Sequence, residues 1–211
     1  GLVTGVQTCA LPIFDLFNYM AVIVCMRGKR EGLDLFKRWA EELQEKIDRG
    51  EGPWKDQQEK YRIMWDGIAC WPHLADTSRI LKKNGINMVT STYPDSWTIV
   101  YDADDLDGMA RAYSSNYVNR NLNHGINKIV QIVKDFSLDG IIYHSNRSCK
   151  LMDFRQYEVQ RQVQEKTGAA SVIFDGDQTD PRAFSPAQYE TRIQALMEMM
   201  EQRKNERPGG Q

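Results

Sequence analysis

The stretch GIIYHSNRSCKLMDF, residues 140–154, decides the fold. A continuous apolar run stops abruptly at His144, Ser145, Asn146, Arg147, Ser148 and Cys149, and a helical pattern follows. An apolar run without alternation predicts a strand buried on both faces, the habit of parallel sheets. The polar residues after it then form a strand-to-helix turn, with a lone thiol at the start of the helix.

The same unit recurs outward along the chain. YRIMWDGI is a short apolar run, and HLADTSRILKKNG is an amphipathic helix stopped by Gly85. INMVTSTY is a second strand, and residues 102–136 carry helical spacing through Met109, Tyr113 and Tyr117, then Ile126, Ile129 and Val133. After GIIYHS come the helix FRQYEVQRQVQEKTG, the strand ASVIFDGD and the helix SPAQYETRIQALMEMMEQR, with Ser185 as its N-cap. Alternation of this kind predicts an α/β fold, a doubly wound, flavodoxin-like parallel sheet of about four strands.

A helical segment precedes the sheet. Residues 15–49 read as one helix, with Leu33, Phe36, Ala40, Leu43 and Ile47 at three- and four-residue spacing. GEGPWKDQQ then breaks the pattern. The expected organisation is a helical segment over 14–50, an α/β domain over 51–205 and a frayed tail over 206–211 within the polar end RKNERPGGQ. Residues 1–13 are set apart, because VTGVQTCALPI resembles a translated reading frame of a common sequencing adapter. On that reading native sequence begins near Phe14, Cys9 carries no biology, and the protein extends upstream.

Composition excludes several classes. The 211 residues carry a net charge of −2 and 41 % apolar residues, enough for a sizeable core and no basic surface for nucleic acid or membrane. The longest apolar stretch, residues 20–26, is too short to span a bilayer. Without a basic start and a continuous apolar core, the N-terminus does not read as a signal peptide, so a reducing, cytoplasmic setting is expected.

In sheets of this kind ligands gather beyond the carboxyl ends of the strands. The four strand ends here read GIACWPH, TSTYPDSW, YHSNRSCK and DGDQTDPR. Cys149 lies at a helix start, where free N–H groups and the macrodipole favour a thiolate, with Arg147 and Lys150 beside it. Such a thiolate suits a nucleophile with His144 as base, or a metal ligand with companions from elsewhere; a half-buried thiol without a role is the plain alternative. Cys70 and Cys25 read as buried thiols. Asp175, Asp177 and Asp180 could hold a hard cation, accept loop N–H groups, or pair with Arg182.

These strings together carry a family resemblance. YRIMWDGIACWP, STYPDSW, DGIIYHSNRSCKLM, QYEVQRQVQEKTG and FDGDQTDPRAFSPAQYETRIQAL resemble the C-terminal half of the 2-hydroxyacyl-CoA dehydratases, over residues 14–201. The likeness is greatest to the catalytic-component subunits of 2-hydroxyglutaryl-CoA dehydratase, within the superfamily that includes benzoyl-CoA reductase. The resemblance implies a heterodimer of related subunits, each typically holding a 4Fe–4S cluster on three cysteines, one of them matched by Cys149. It implies radical syn-elimination of water from an (R)-2-hydroxyacyl-CoA, with a 2-hydroxyglutaryl-CoA-like substrate expected, to give the 2-enoyl-CoA, started by one electron from an ATP-dependent iron–sulfur activator protein. Anaerobic amino-acid fermentation suits such chemistry.

By the same resemblance, Cys149 is the expected cluster ligand. His144 and Ser145 are the expected catalytic residues, His144 as a proton carrier or else a strand-end hydrogen bonder. Asn146, Arg147 and Ser148 are expected to bind substrate or hydrogen-bond cluster sulfurs. The other two cluster ligands are expected in an absent N-terminal half, so the chain alone is expected to be an inactive piece of the enzyme. The competing readings are a benzoyl-CoA-reductase-type subunit, a non-enzymatic partner subunit without a cluster, and a thiol-dependent transferase using Cys149 and His144.

Overall fold

The structure, a computed structural model, describes residues 13–206. The adapter-like stretch with Cys9 and residues 207–211 of the expected tail lie outside the described residues, Ile13 excepted.

Two helices stand where one was expected, α1 (Ile13–Cys25) and α2 (Arg30–Asp48). The break falls at Gly28, whose φ of +79° is a left-handed conformation that ends a helix. The main unit then runs β1 (Tyr61–Asp66), α3 (Leu74–Lys83), β2 (Ile86–Ser91), α4 (Thr92–Asp95), α5 (Leu106–Ser114), α6 (Leu122–Asp135), β3 (Gly140–Asn146), α7 (Lys150–Thr167), β4 (Ala170–Gly176) and α8 (Pro186–Glu206). Strand β2 stops at Ser91 instead of running on to Tyr93, because the Ser91 hydroxyl accepts the Tyr93 N–H at 3.2 Å and caps α4. Helix α8 runs on to Glu206, the first residue of the expected tail, and its end is tied down: Arg203 donates to the Thr167 carbonyl at 2.8 Å and Lys204 to that of Lys60 at 2.7 Å.

The four strands form one parallel sheet in the order β2-β1-β3-β4. This is the expected doubly wound, flavodoxin-like α/β arrangement. Successive side chains of a strand point to opposite faces, and both faces here are covered. On β1, Ile63 and Trp65 join Phe17 and Met20 of α1, Ile80 of α3 and Leu196 of α8 in one core. Met64 points the other way, into a core with Ile126 and Ile129 of α6 and Val159 of α7. The N-terminal helix α1 therefore packs into the sheet's own core, with Phe17 edge-on to Trp65 at 6.1 Å.

The chain leaves β1 toward β2 in one direction and returns to pair β3 on its other side. That reversal opens a crevice beyond the ends of β1 and β3. Gly67 sits at its lip with φ of +102°, and a Cβ there would stand 3.0 Å from the His144 carbonyl oxygen. Only glycine lets the two strand ends approach so closely.

Candidate functional site

A cavity of about 340 Å³ occupies the crevice, walled by Ile68, Tyr93, Trp97, Tyr117, Cys149 and Met152 among others. Cys149 is the N-cap residue of α7, and its carbonyl accepts the N–H groups of Met152 at 3.1 Å and Asp153 at 3.0 Å. Its thiol is half-buried and forms no hydrogen bond among the described residues. The opposite wall is braced from the helical segment: Arg27 donates to the carbonyls of Trp97 and Ile99.

The Cys149 turn is fastened to the loop after β4. Asn146 Oδ1 accepts from the N–H of Ser148 at 3.3 Å and of Gln178 at 3.2 Å, while Asn146 Nδ2 donates to Gln178 Oε1 at 3.1 Å. The Ser148 hydroxyl donates to Asp177 Oδ2. Asp177 Oδ1 accepts the N–H groups of Thr179 at 2.8 Å and Asp180 at 3.0 Å, and the Thr179 hydroxyl at 3.1 Å. These donors, Ser148 first, hold the Asp177 carboxyl well below the usual carboxylate range. Asp180 is bound to Arg182, which holds its carboxyl near 2, and Asp175 is exposed. Of the three roles open to this acidic loop, Asp177 takes the loop-ordering one and Asp180 the ion pair.

The predicted residues divide. Cys149 lines the cavity; His144, Ser145, Asn146 and Ser148 do not. His144 lies in the core, stacked on Phe174 at 4.9 Å, and its Nδ1–H donates to the Ile68 carbonyl at 2.6 Å. Burial pushes its pKa down to about 4, so the ring is neutral. Its Nε2 has no partner among the described residues. The hydroxyl of Ser145 donates to Asp153 Oδ1 at 2.6 Å, tying β3 to the first turn of α7. Arg147 is exposed and forms no ion pair among the described residues. Cys70 is fully buried and its thiol donates to the Asp177 carbonyl at 3.4 Å, with burial raising its pKa. Cys25, the last residue of α1, is exposed, against its expected burial.

Sequence reasoning missed Asp66, the carboxylate beneath the cavity. It accepts from Thr92 Oγ1 at 2.8 Å, Tyr117 Oη at 3.4 Å and Gln156 Nε2 at 3.5 Å, and burial raises its pKa. Gln156 also donates to the His144 carbonyl at 3.1 Å, so the cluster joins the ends of β1 and β3 to α4 and α7. The signal was present: Asp66 is the single charged residue in the apolar run IMWDGIA.

For an iron–sulfur cluster, the donor set fits at one position. Cys149 offers a thiol free of hydrogen bonds on a cavity wall. Among the described residues no three His, Cys, Asp or Glu side chains gather as a metal site. A cluster here would take its other ligands from elsewhere. A larger cleft of about 810 Å³ runs along the outer edge of β4 between α7 and α8, away from Cys149.

The fold and this crevice define an α/β domain with a cavity at its topological switch point and one thiol on the wall. Residues 4–200 match the family described as 2-hydroxyglutaryl-CoA dehydratase, D-component, and the chain belongs to that family. It is 51 % identical over 191 residues to the (R)-2-hydroxyisocaproyl-CoA dehydratase alpha subunit of Clostridioides difficile, covering 90 % of this chain and 47 % of that protein. It is 46 % identical over 190 residues to the alpha subunit of lactoyl-CoA dehydratase of Anaerotignum propionicum, covering 89 % and 45 %. A benzoyl-CoA reductase subunit of Thauera aromatica is 23 % identical over 194 residues, covering 87 % and 45 %. The chain thus spans about half the length of these relatives. Among the described residues no helix is long and apolar enough to cross a membrane.

Proposed function

We propose that the chain forms about half of the alpha subunit of a 2-hydroxyacyl-CoA dehydratase, a hydro-lyase that converts an (R)-2-hydroxyacyl-CoA into the 2-enoyl-CoA and water. The observation that carries this reading is the identity of 51 % and 46 % to two dehydratase alpha subunits, against 23 % to the reductase subunit. The crevice supports it, because it sets the Cys149 thiol on the wall of a cavity large enough for an acyl group.

In this proposal Cys149 is one ligand of a 4Fe–4S cluster whose remaining thiols come from the rest of the protein. Such a cluster, when bound, supplies one-electron chemistry that neither the α-hydroxyl nor the weakly acidic β-carbon allows by acid–base means alone. The chain's own residues do three things. The aromatic walls exclude water and orient the acyl group. The Asn146–Gln178 and Ser148–Asp177 contacts fix the turn that bears Cys149. The neutral His144 ring and Asp66 support the strand ends from below. A related second subunit, an ATP-dependent iron–sulfur activator protein and the acyl-CoA substrate complete the proposed system.

The test is anaerobic turnover by the full-length subunit with its partner and activator. The expected product is the 2-enoyl-CoA, formed in large excess over the reducing equivalents consumed, because water loss is redox-neutral. Stoichiometric reduction of an aromatic thioester, with no dehydration, would replace this reading with the reductase one.

A further inference from the structure

Resting on the dehydratase reading, we infer that the cavity beside Cys149 seats the substrate's acyl side chain and selects thioesters whose side chain carries no charge. Its size, about 340 Å³, is that of a small-molecule site. Four aromatic rings line it, those of Tyr93, Trp97, Tyr113 and Tyr117, with Val118 and Leu151 at its sides. Among the described residues, no Lys, Arg, His, Asp or Glu lines it.

The nearby cations are placed elsewhere. Arg27 is spent on the carbonyls of Trp97 and Ile99, behind the wall. Arg155 lies 5.3 Å from the centre of the Tyr117 ring and is not a lining residue. Beneath the floor stands Asp66, reached by the Tyr117 hydroxyl. A carboxylate at the end of an acyl chain would enter a largely apolar space with no cation in its lining and approach the Asp66 carboxyl group. Burial of an unpaired charge is strongly disfavoured, whereas aliphatic or aromatic side chains gain from the same walls.

The test is isothermal titration of the chain with two thioesters that differ in side chain, (R)-2-hydroxyisocaproyl-CoA and (R)-2-hydroxyglutaryl-CoA, with free CoA as reference. The uncharged thioester should bind at least about tenfold tighter than the dicarboxylate. Leu151→Arg, at an exposed wall position, and Val118→Arg should each shrink that ratio or reverse it, with circular dichroism unchanged. Equal affinity, or preference for the dicarboxylate, overturns the inference and leaves the dehydratase reading intact. If neither thioester binds better than free CoA, the inference falls, while the dehydratase reading still stands or falls on turnover by the full-length subunit.

Discussion

Asp177→Ala is expected to destabilise the protein by about 3 kcal/mol, a fall of roughly 10 °C in Tm. The carboxylate is buried, at 3 % exposure, and gathers four donors from Ser148, Thr179 and Asp180. Alanine removes the acceptor and leaves two backbone N–H groups without partners. Hydrogen bonds to a charged acceptor are the stronger ones, and the part-buried donors left without a partner add a desolvation cost. The loss also unfastens the Cys149 turn, so activity of the assembled enzyme should fall further than stability alone explains. Asp175→Ala, at an exposed position of the same loop, serves as the control and should change Tm little. Thermal denaturation of the two variants side by side checks the assignment. Equal, small shifts would show that the Asp177 network does not hold the loop.

The second large effect concerns acid. His144 is fully buried, and burial lowers its pKa to about 4 from an ordinary value near 6.5. Between those values the unfolded chain binds a proton that the folded chain refuses, so stability rises with pH. The contribution is complete above about pH 6.5 and is lost as pH falls toward 4, by at most about 3 kcal/mol. Asp177 behaves differently. Its carboxyl is held low, so its contribution is complete above the usual carboxylate range and is lost only below about pH 4. Acid unfolding should therefore show two windows. His144→Asn, whose amide can keep the donor to the Ile68 carbonyl, should remove the upper one and leave the lower. Urea midpoints at pH 7.5 and 4.5 give the result; an unchanged difference in the variant would assign the upper window to another group.

Much of this architecture was legible in local pattern. The four strands are apolar runs, and the left-handed glycines Gly85 and Gly168 follow the helices they end. The break at Gly28 was not legible, because good helix formers stand on both sides of it, Arg27 before and Lys29, Arg30 and Glu31 after, and a glycine inside a helical pattern is ambiguous. The site was half legible. Cys149 stands out in the string NRSCK, and the fold sets it on the wall of a strand-end cavity. The neighbours that share its turn look equally reactive in sequence, yet the side chains of Ser145, Asn146 and Ser148 are engaged in fastening the turn. That distinction depends on contacts across 29 residues from Ser148 to Asp177 and 32 from Asn146 to Gln178. Asp66 was hidden for the same reason, since its partners Thr92, Tyr117 and Gln156 meet only in three dimensions.

The central claim is that Cys149 holds iron in a dehydratase. It is tested most directly by iron and acid-labile sulfide content of the full-length subunit, purified anaerobically, with and without Cys149→Ser. A cluster is expected in the parent protein, and its loss together with dehydration activity in the variant, the fold retained. Full iron, sulfide and activity in the variant would contradict the claim and return Cys149 to the standing of a thiol on a cavity wall.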